Sequence, residues 1–331
     1  MQRLLAAGAG AVDLHLRRYA PEWVIGLVAS AVIVATGWFL LGAPRPFPAG
    51  AVVVVPQGAS ARSAATLLAE ADVVREPVLL EFFLRATGEG ASIRPGAYRF
   101  AGPENLVAVA LRLARGAYGI PSVRITFPEG STVLDMANKI AKVVPGVSAS
   151  DFISAAGPYE GYLFPDTYTF QPSDTAAAIT DRMQQNFVEK TAPLAPDIAA
   201  SGHSLSDIVI MASIIEREAA RPADRAMVAG ILWNRIRLGM PLQVDAVFGY
   251  INSRATYSPS FRDLAVDSPY NTYLNKGLPP GAISNPGLSA LEAALHPAKT
   301  SYLYYLTGRD GLMHYSKTYA GQLANEHAYL N

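Results

Sequence analysis

Three textures of apolar and polar positions follow one another along the chain. The first is an unbroken apolar run, "WVIGLVASAVIVATGWFLLGAP", uncharged from Trp23 to Pro44. At 1.5 Å per residue it makes a helix of about 33 Å, enough to cross a hydrocarbon core of about 30 Å. Trp23, Trp38 and Phe39 stand where interfacial aromatics belong. A Pro/Gly linker, "GAPRPFPAG", leaves this run. The second texture occurs twice, as "VPQGASARSAATLLAEADVV" (55–74) and "FPEGSTVLDMANKIAKVV" (127–144). Each reads as a β-branched strand, a Pro-x-Gly turn, a hydroxyl cap and an amphipathic helix. Pro56, Gly58, Ala65 and Ala69 recur as Pro128, Gly130, Ala137 and Ala141, with Ser60 matched by Thr132. Between them "SIRPGAYRF" (92–100) predicts a strand entered through a Pro-Gly turn.

The third texture, from "EGYLFPDTYTF" (160–170) onward, alternates aromatic loops with longer helices. "SLSDIVIMASIIEREA" opens with Ser204 and Asp207 in capping-box spacing, and Ile208, Met211, Ala212 and Ile215 define a buried helical face. Glu216 falls on the margin of that face; Glu218, about 200° further round, is expected to be solvated. A second helix is predicted over 221–239, from Pro222 in its first turn to Gly239. "LQVDAVFGY" reads as strand-like, and "SPYNTYLNKGLPPGAISNPG" as a long loop too aromatic for disorder.

Composition narrows the chemistry. The 331 residues suffice for two domains, and 27 basic against 27 acidic residues leave no field that would recruit nucleic acid. With no cysteine there is no disulfide, thiol nucleophile or thiolate site, and none of the five histidines pairs at i, i+4, so no metal or other cofactor is expected. The P-loop, S-x-x-K and G-x-S-x-G patterns are missing from the sequence. Carboxylate chemistry remains. Glu216 follows directly on an apolar run, a setting that favours the protonated carboxyl a general acid needs. Gln243, Asp245, Asn271, Thr272 and Tyr273 supply polar and aromatic groups of the kind that bind an extended polar substrate such as a glycan.

"EGYLFPDTY", "MASIIEREA", "LQVDAVFGY", "PYNTYLNKGLPPGAISNPG", "AALHPAKTSYLYY" and "HYSKT" together resemble the YceG-like, or MltG, family of endolytic murein transglycosylases. The resemblance implies an α+β fold. It divides the chain into a cytoplasmic tail (1–22), a transmembrane helix (23–43), a linker (44–50), a LysM-like region (51–155) and a catalytic domain (156–331). It makes Glu216 the catalytic acid. Gln243, Asn271 and Tyr273 become glycan-orienting groups, Asp245 a candidate second carboxylate, and Thr272, Glu218, Glu160 and His314 further substrate contacts. The reaction implied is cleavage of the β-1,4 bond between N-acetylmuramic acid and N-acetylglucosamine, leaving 1,6-anhydro ends and terminating strand elongation. Partners implied are peptidoglycan strands and peptidoglycan synthases. Arg3, Arg17 and Arg18 precede the apolar run, which puts the tail in the cytoplasm and the rest on the periplasmic side of the inner membrane. A two-carboxylate muramidase and a non-catalytic wall-binding scaffold are the competing readings. Gly321, Gln322 and Leu323 stand where relatives tend to have Glu-His-Asn.

Overall fold

The structure is a computed structural model describing residues 23–86, 93–253 and 259–330; the tail 1–22 lies outside the described residues. The chain forms two compact units, 1–121 and 122–331.

The first unit begins with helix α1 (Trp23–Leu41), long and apolar enough to cross a membrane, its apolar window 0 % buried in the structure. Its last carbonyls do not go unmatched. Arg75 donates to Phe39 O at 3.0 Å and Ala43 O at 3.1 Å, with its guanidinium 4.0 Å from the Phe39 ring. Beyond the linker, β1 (Ala51–Val55) leads through the Gly58 turn into α2 (Ala61–Glu70), followed by α3 (Pro77–Ala86), β2 (Gly96–Phe100) and α4 (Leu106–Arg115). Ser60 starts α2 by accepting from Ser63 N–H at 3.1 Å. Ala61, Ala64, Ala65 and Leu68, one helical face, bury against Val53, Val55, Tyr98 and Phe100 of the antiparallel β1–β2 pair. The expected strand at "SIRPGAYRF" is β2.

The second unit repeats the plan: β3 (Val123–Thr126), α5 (Val133–Val143), α6 (Ala149–Ala156), β4 (Thr167–Phe170), then α7 (Ala176–Thr191). Both predicted strand-turn-helix segments therefore form, each as the opening of a β-α-α-β module. Thr132 and Asp135 make a reciprocal capping box on α5. Strands β3 and β4 pair antiparallel, and Ile125, Met136, Ile140, Phe152, Phe170, Ile179 and Met183 share one core. That core keeps β3, α5 and α6 in the same unit as β4 and α7.

The rest of the unit comprises α8 (Ala195–Ser201), α9 (Leu205–Glu218), α10 (Pro222–Arg237), α11 (Ala246–Ile251), α12 (Phe261–Leu264), α13 (Leu288–Leu295), hairpin β5 (Tyr304–Thr307) and β6 (Met313–Ser316), and α14 (Tyr319–Tyr329). Helices α9, α10, α11 and α13 bury Ile208, Met211, Val228, Leu232, Val247 and Leu291 in one core. The Ser204–Asp207 capping box and the α10 boundaries are as the sequence predicts. "LQVDAVFGY" is not a strand. Pro241 makes one isolated bridge to Lys276, Gln243 turns the chain at φ +49°, and α11 begins at Ala246. Leu242 and Val244 bury on either side of that turn, which forbids the extended run that alternation suggested.

Candidate active site

The site is built on the last turn of α9. Residues Ile208 to Ile215 are buried all round, so the helix is held on every side until Glu216, Arg217 and Glu218 emerge at successive 100° steps.

Glu216 lies deeper than the expected margin, its side chain 4 % exposed. One oxygen accepts from Arg225 Nη2 at 2.5 Å and the other from Gly287 N–H at 3.0 Å. Arg225 is itself fixed by donating from Nε to Ala219 O at 2.9 Å, and its Nη1 lies 3.8 Å from Glu129. Burial pushes the Glu216 carboxyl up; the Gly287 amide and Arg225 oppose this, and the charge of Glu129 adds to it. A Cβ at residue 287 would fall 1.8 Å from Glu129 Oε1, so only glycine lets the amide and Glu129 share this corner.

Glu218 is not the solvated neighbour that helix geometry alone suggests. Oε1 accepts from Ala246 N–H at 3.3 Å and Oε2 from the Tyr305 hydroxyl at 3.0 Å. Burial raises its carboxyl; the Tyr305 and Ala246 hydrogen bonds oppose this, and nearby Asp245 raises it further. Asp245 is likewise raised by burial and accepts from the Tyr273 hydroxyl at 2.6 Å. The α9 helix end, the start of α11, the 268–287 loop and β5 thus gather two carboxyls and two phenols. Arg235 lines up behind this group, donating to Leu303 O and Leu242 O at 2.7 Å with its guanidinium 5.0 Å from the Tyr304 ring. Gln243, strained at positive φ, places Oε1 3.5 Å from Arg235 Nη1.

The other expected contacts sort differently. Asn271 is 0 % exposed and spends its side chain on Leu264 O, Val266 O and Tyr273 N–H. Thr272 is buried, its hydroxyl accepting from Val244 N–H. These two side chains shape the loop that presents Tyr273 and Gln243. His314 pairs with Asp310 at 3.0 Å and stacks on Tyr329. Glu160 sits by the second module: it accepts from Val133 N–H at 3.0 Å and Asn285 Nδ2 at 2.8 Å, and burial pushes it up to about 7. Gln322, in the segment that departs from the family pattern, donates to Tyr305 O at 3.2 Å and so supports the strand bearing Tyr305.

Sequence reasoning missed Asn285, Arg225, Tyr305 and Glu129. Fully buried Asn285 accepts from Gly161 N–H and Leu163 N–H at 2.9 Å and donates to Ser131 O and Glu160. Its whole amide is used. Its backbone pairs with the Gly130 turn at 2.9 and 3.0 Å, riveting module to catalytic core. The signal available was the quoted loop that contains it, but nothing there says which residue is the rivet.

Comparisons with known proteins agree with this architecture. An endolytic murein transglycosylase of Bacillus subtilis is 32 % identical over 291 residues, 80 % of each chain. One of Streptococcus pneumoniae is 25 % identical over 340 residues, covering 88 % of this chain and 62 % of that protein. A crystal structure of a yceG-like protein from Listeria monocytogenes superposes with a TM-score of 0.57 at 30 % identity, covering 83 % of this chain and 98 % of that one. With the YceG-like profile matching residues 53–328, and so both modules and the carboxyl cluster, the chain belongs to the YceG-like family.

Proposed function

We propose that the chain is an endolytic murein transglycosylase, a lyase, whose proton donor is Glu218. One observation carries the choice of acid: each glutamate accepts two hydrogen bonds, but one of those on Glu216 comes from the Arg225 guanidinium, whereas those on Glu218, beside Asp245 and Tyr273, come from an amide and the Tyr305 phenol. A carboxyl raised by burial and held by no cation keeps its proton until a glycosidic oxygen offers a better site. Glu216 is then the clamp that fixes the end of α9.

Glu218 protonates the oxygen leaving muramic C1, and the C1–O bond breaks. The muramic C6 hydroxyl closes onto C1 as its proton passes to the Glu218 carboxylate, giving a 1,6-anhydro end with no net proton or water consumed. The nucleophile is tethered to the reacting sugar, and intramolecular attack gains effective molarity that a captured water lacks. Tyr273 and Gln243 orient the glycan, and Asp245 disfavours early ionisation of Glu218.

The β-α-α-β order of the first unit supports reading it as a LysM-like wall-binding region. The uncharged α1 and the arginines before it support a single span in the inner membrane with everything beyond the linker on the periplasmic side, where peptidoglycan synthases are candidate partners.

Glu218→Gln is expected to lower cleavage of isolated glycan strands by about 10³-fold or more with the melt unchanged, and Glu216→Gln to act mainly through stability. Muropeptide mass analysis in ¹⁸O water should find anhydro ends without label. Wild-type turnover by Glu218→Gln would return the acid to Glu216, and label in new muramic ends would favour the muramidase.

A further inference from the structure

A cavity of about 610 Å³ opens at the end of α9, between the Gly130 turn and the far end of α11. Its walls include Glu129, Asp135, Glu160, Arg217, Ile153 and Tyr250. The size suits a bound small molecule or a short chain segment. The lining is what distinguishes it: three carboxyls and a guanidinium beside an apolar wall of Val133, Leu134 and Ile153. Subsites for neutral sugars rely on aromatic faces and uncharged hydrogen bonds. Murein carries its charge instead on the peptides that hang from muramic acid, as carboxylates and the side-chain ammonium of a diamino acid.

The wall groups have capacity to recognise those charges. The Glu129 side chain is 48 % exposed and its ion pair with Arg225 is long, at 3.8 Å. Asp135 is committed to the α5 capping box and, with Glu160, is a charge neighbour of Arg217. Arg217 stands between Glu216 and Glu218 in α9 and is held by donating to Gly130 O at 2.9 Å. The cavity is also close to the chemistry. Helix α11 runs from Ala246, whose amide holds Glu218, to Tyr250 in the cavity wall, four residues and about 6 Å on. The stem leaves muramic acid near the carbon that is cut, so a strand lying at Glu218 carries its stem within reach of this opening.

We propose that this cavity receives the peptide stem of the murein strand, with the stem ammonium on Glu129. The identity of the polymer rests on the transglycosylase reading; the preference for an ammonium-bearing peptide rests on the cavity. It makes stem chemistry, not only the glycan, a determinant of where strands are cut.

Binding of the tripeptide L-alanyl-γ-D-glutamyl-L-lysine to the full chain in detergent, against its Nε-acetyl form, tests the cavity by calorimetry. Removing the ammonium is expected to weaken binding about tenfold, the effect of one lost charge-assisted hydrogen bond. Glu129→Gln should cause the same loss and abolish the difference between peptides, and Ile153→Trp, which narrows the cavity, should weaken both. Equal affinity for the two peptides, or no binding by the folded wild type, overturns the proposal. Cleavage of intact strands tests the reading beneath it separately. Amine-dependent peptide binding by a protein that cuts no strand would keep the cavity and remove the transglycosylase.

Discussion

The turns at Gly58 and Gly130 share a left-handed backbone, φ +75° and +78°, and lead into helices capped by Ser60 and Thr132. A Cβ added at Gly58 would meet nothing within 4 Å, whereas one at Gly130 would lie 3.4 Å from Glu216 Cγ and 3.9 Å from Arg217 Cγ. The same local unit is thus a free-standing turn in the first module and part of an active-site wall in the second. Local sequence decides that the turn and helix form; what packs on the turn decides whether it has chemistry beside it. The residue inside the turn follows suit, Gln57 in one and Glu129 in the other.

The sharpest way to separate the units is through their ion pairs. Arg225 and Glu216 are 9 % and 4 % exposed, so Arg225→Ala strands a buried carboxylate and should cost about 3–5 kcal/mol in urea unfolding of the second unit. The first unit's Arg62–Glu81 pair is 78 % and 14 % exposed, and Arg62→Ala should cost less than about 1 kcal/mol. Equal losses would mean that the two units are held alike.

Next comes pH. The first amide of α5 is held by Glu160, whose pKa is pushed from 4.5 to about 7 by burial. A raised folded pKa means the folded state binds the proton more tightly. The stabilisation is complete below the unfolded value of 4.5 and is lost as pH rises through about 7. Glu160→Gln should therefore flatten the fall in stability across that window, a change of roughly 3 kcal/mol. An unaltered pH profile would show that Glu160 ionises normally.

The glycines give a smaller and more discriminating test. Alanine at either position should cost about 1–2 kcal/mol, since both sit in the left-handed region. Only Gly130→Ala should also lower kcat/KM, by about tenfold, because the left-handed turn it strains holds Arg217 of α9 through Gly130 O and pairs with Asn285. Reduced turnover in Gly58→Ala would break the distinction. Smallest are the caps: Ser60→Ala and Thr132→Ala should each cost about 1 kcal/mol, with Thr132 the larger because its box is reciprocal. Thermal melts would rank them.

What was legible in the sequence was whatever is written locally. The apolar run of α1, the Pro-x-Gly turns, the hydroxyl caps and the 3.6-residue period of α9 all act within a few residues of themselves. The environment of Glu218 was not legible, because helix geometry gives a direction and not what lies there; its partners Ala246 and Tyr305 are 28 and 87 residues away. The strand expected at "LQVDAVFGY" failed for a related reason: alternation cannot foresee that burial of Leu242 and Val244 is achieved through a turn at Gln243. Asn271 and Thr272 looked like substrate contacts because polar loop residues usually face solvent, and here the loop folds back on them.

Arg75 bears on something else, the distance from the bilayer at which the protein can operate. Its hydrogen bonds to Phe39 O and Ala43 O tie the loop before α3 to the end of α1, so the first module cannot use the full span of its linker. Nine residues of free chain could reach about 30 Å, yet the clamp holds the module at the helix mouth. With α1 in a membrane, the module samples only the polymer lying against the lipid surface, and encounter becomes a search in two dimensions. On the proposed periplasmic orientation, newly made strands would lie within that reach and mature wall further out would not.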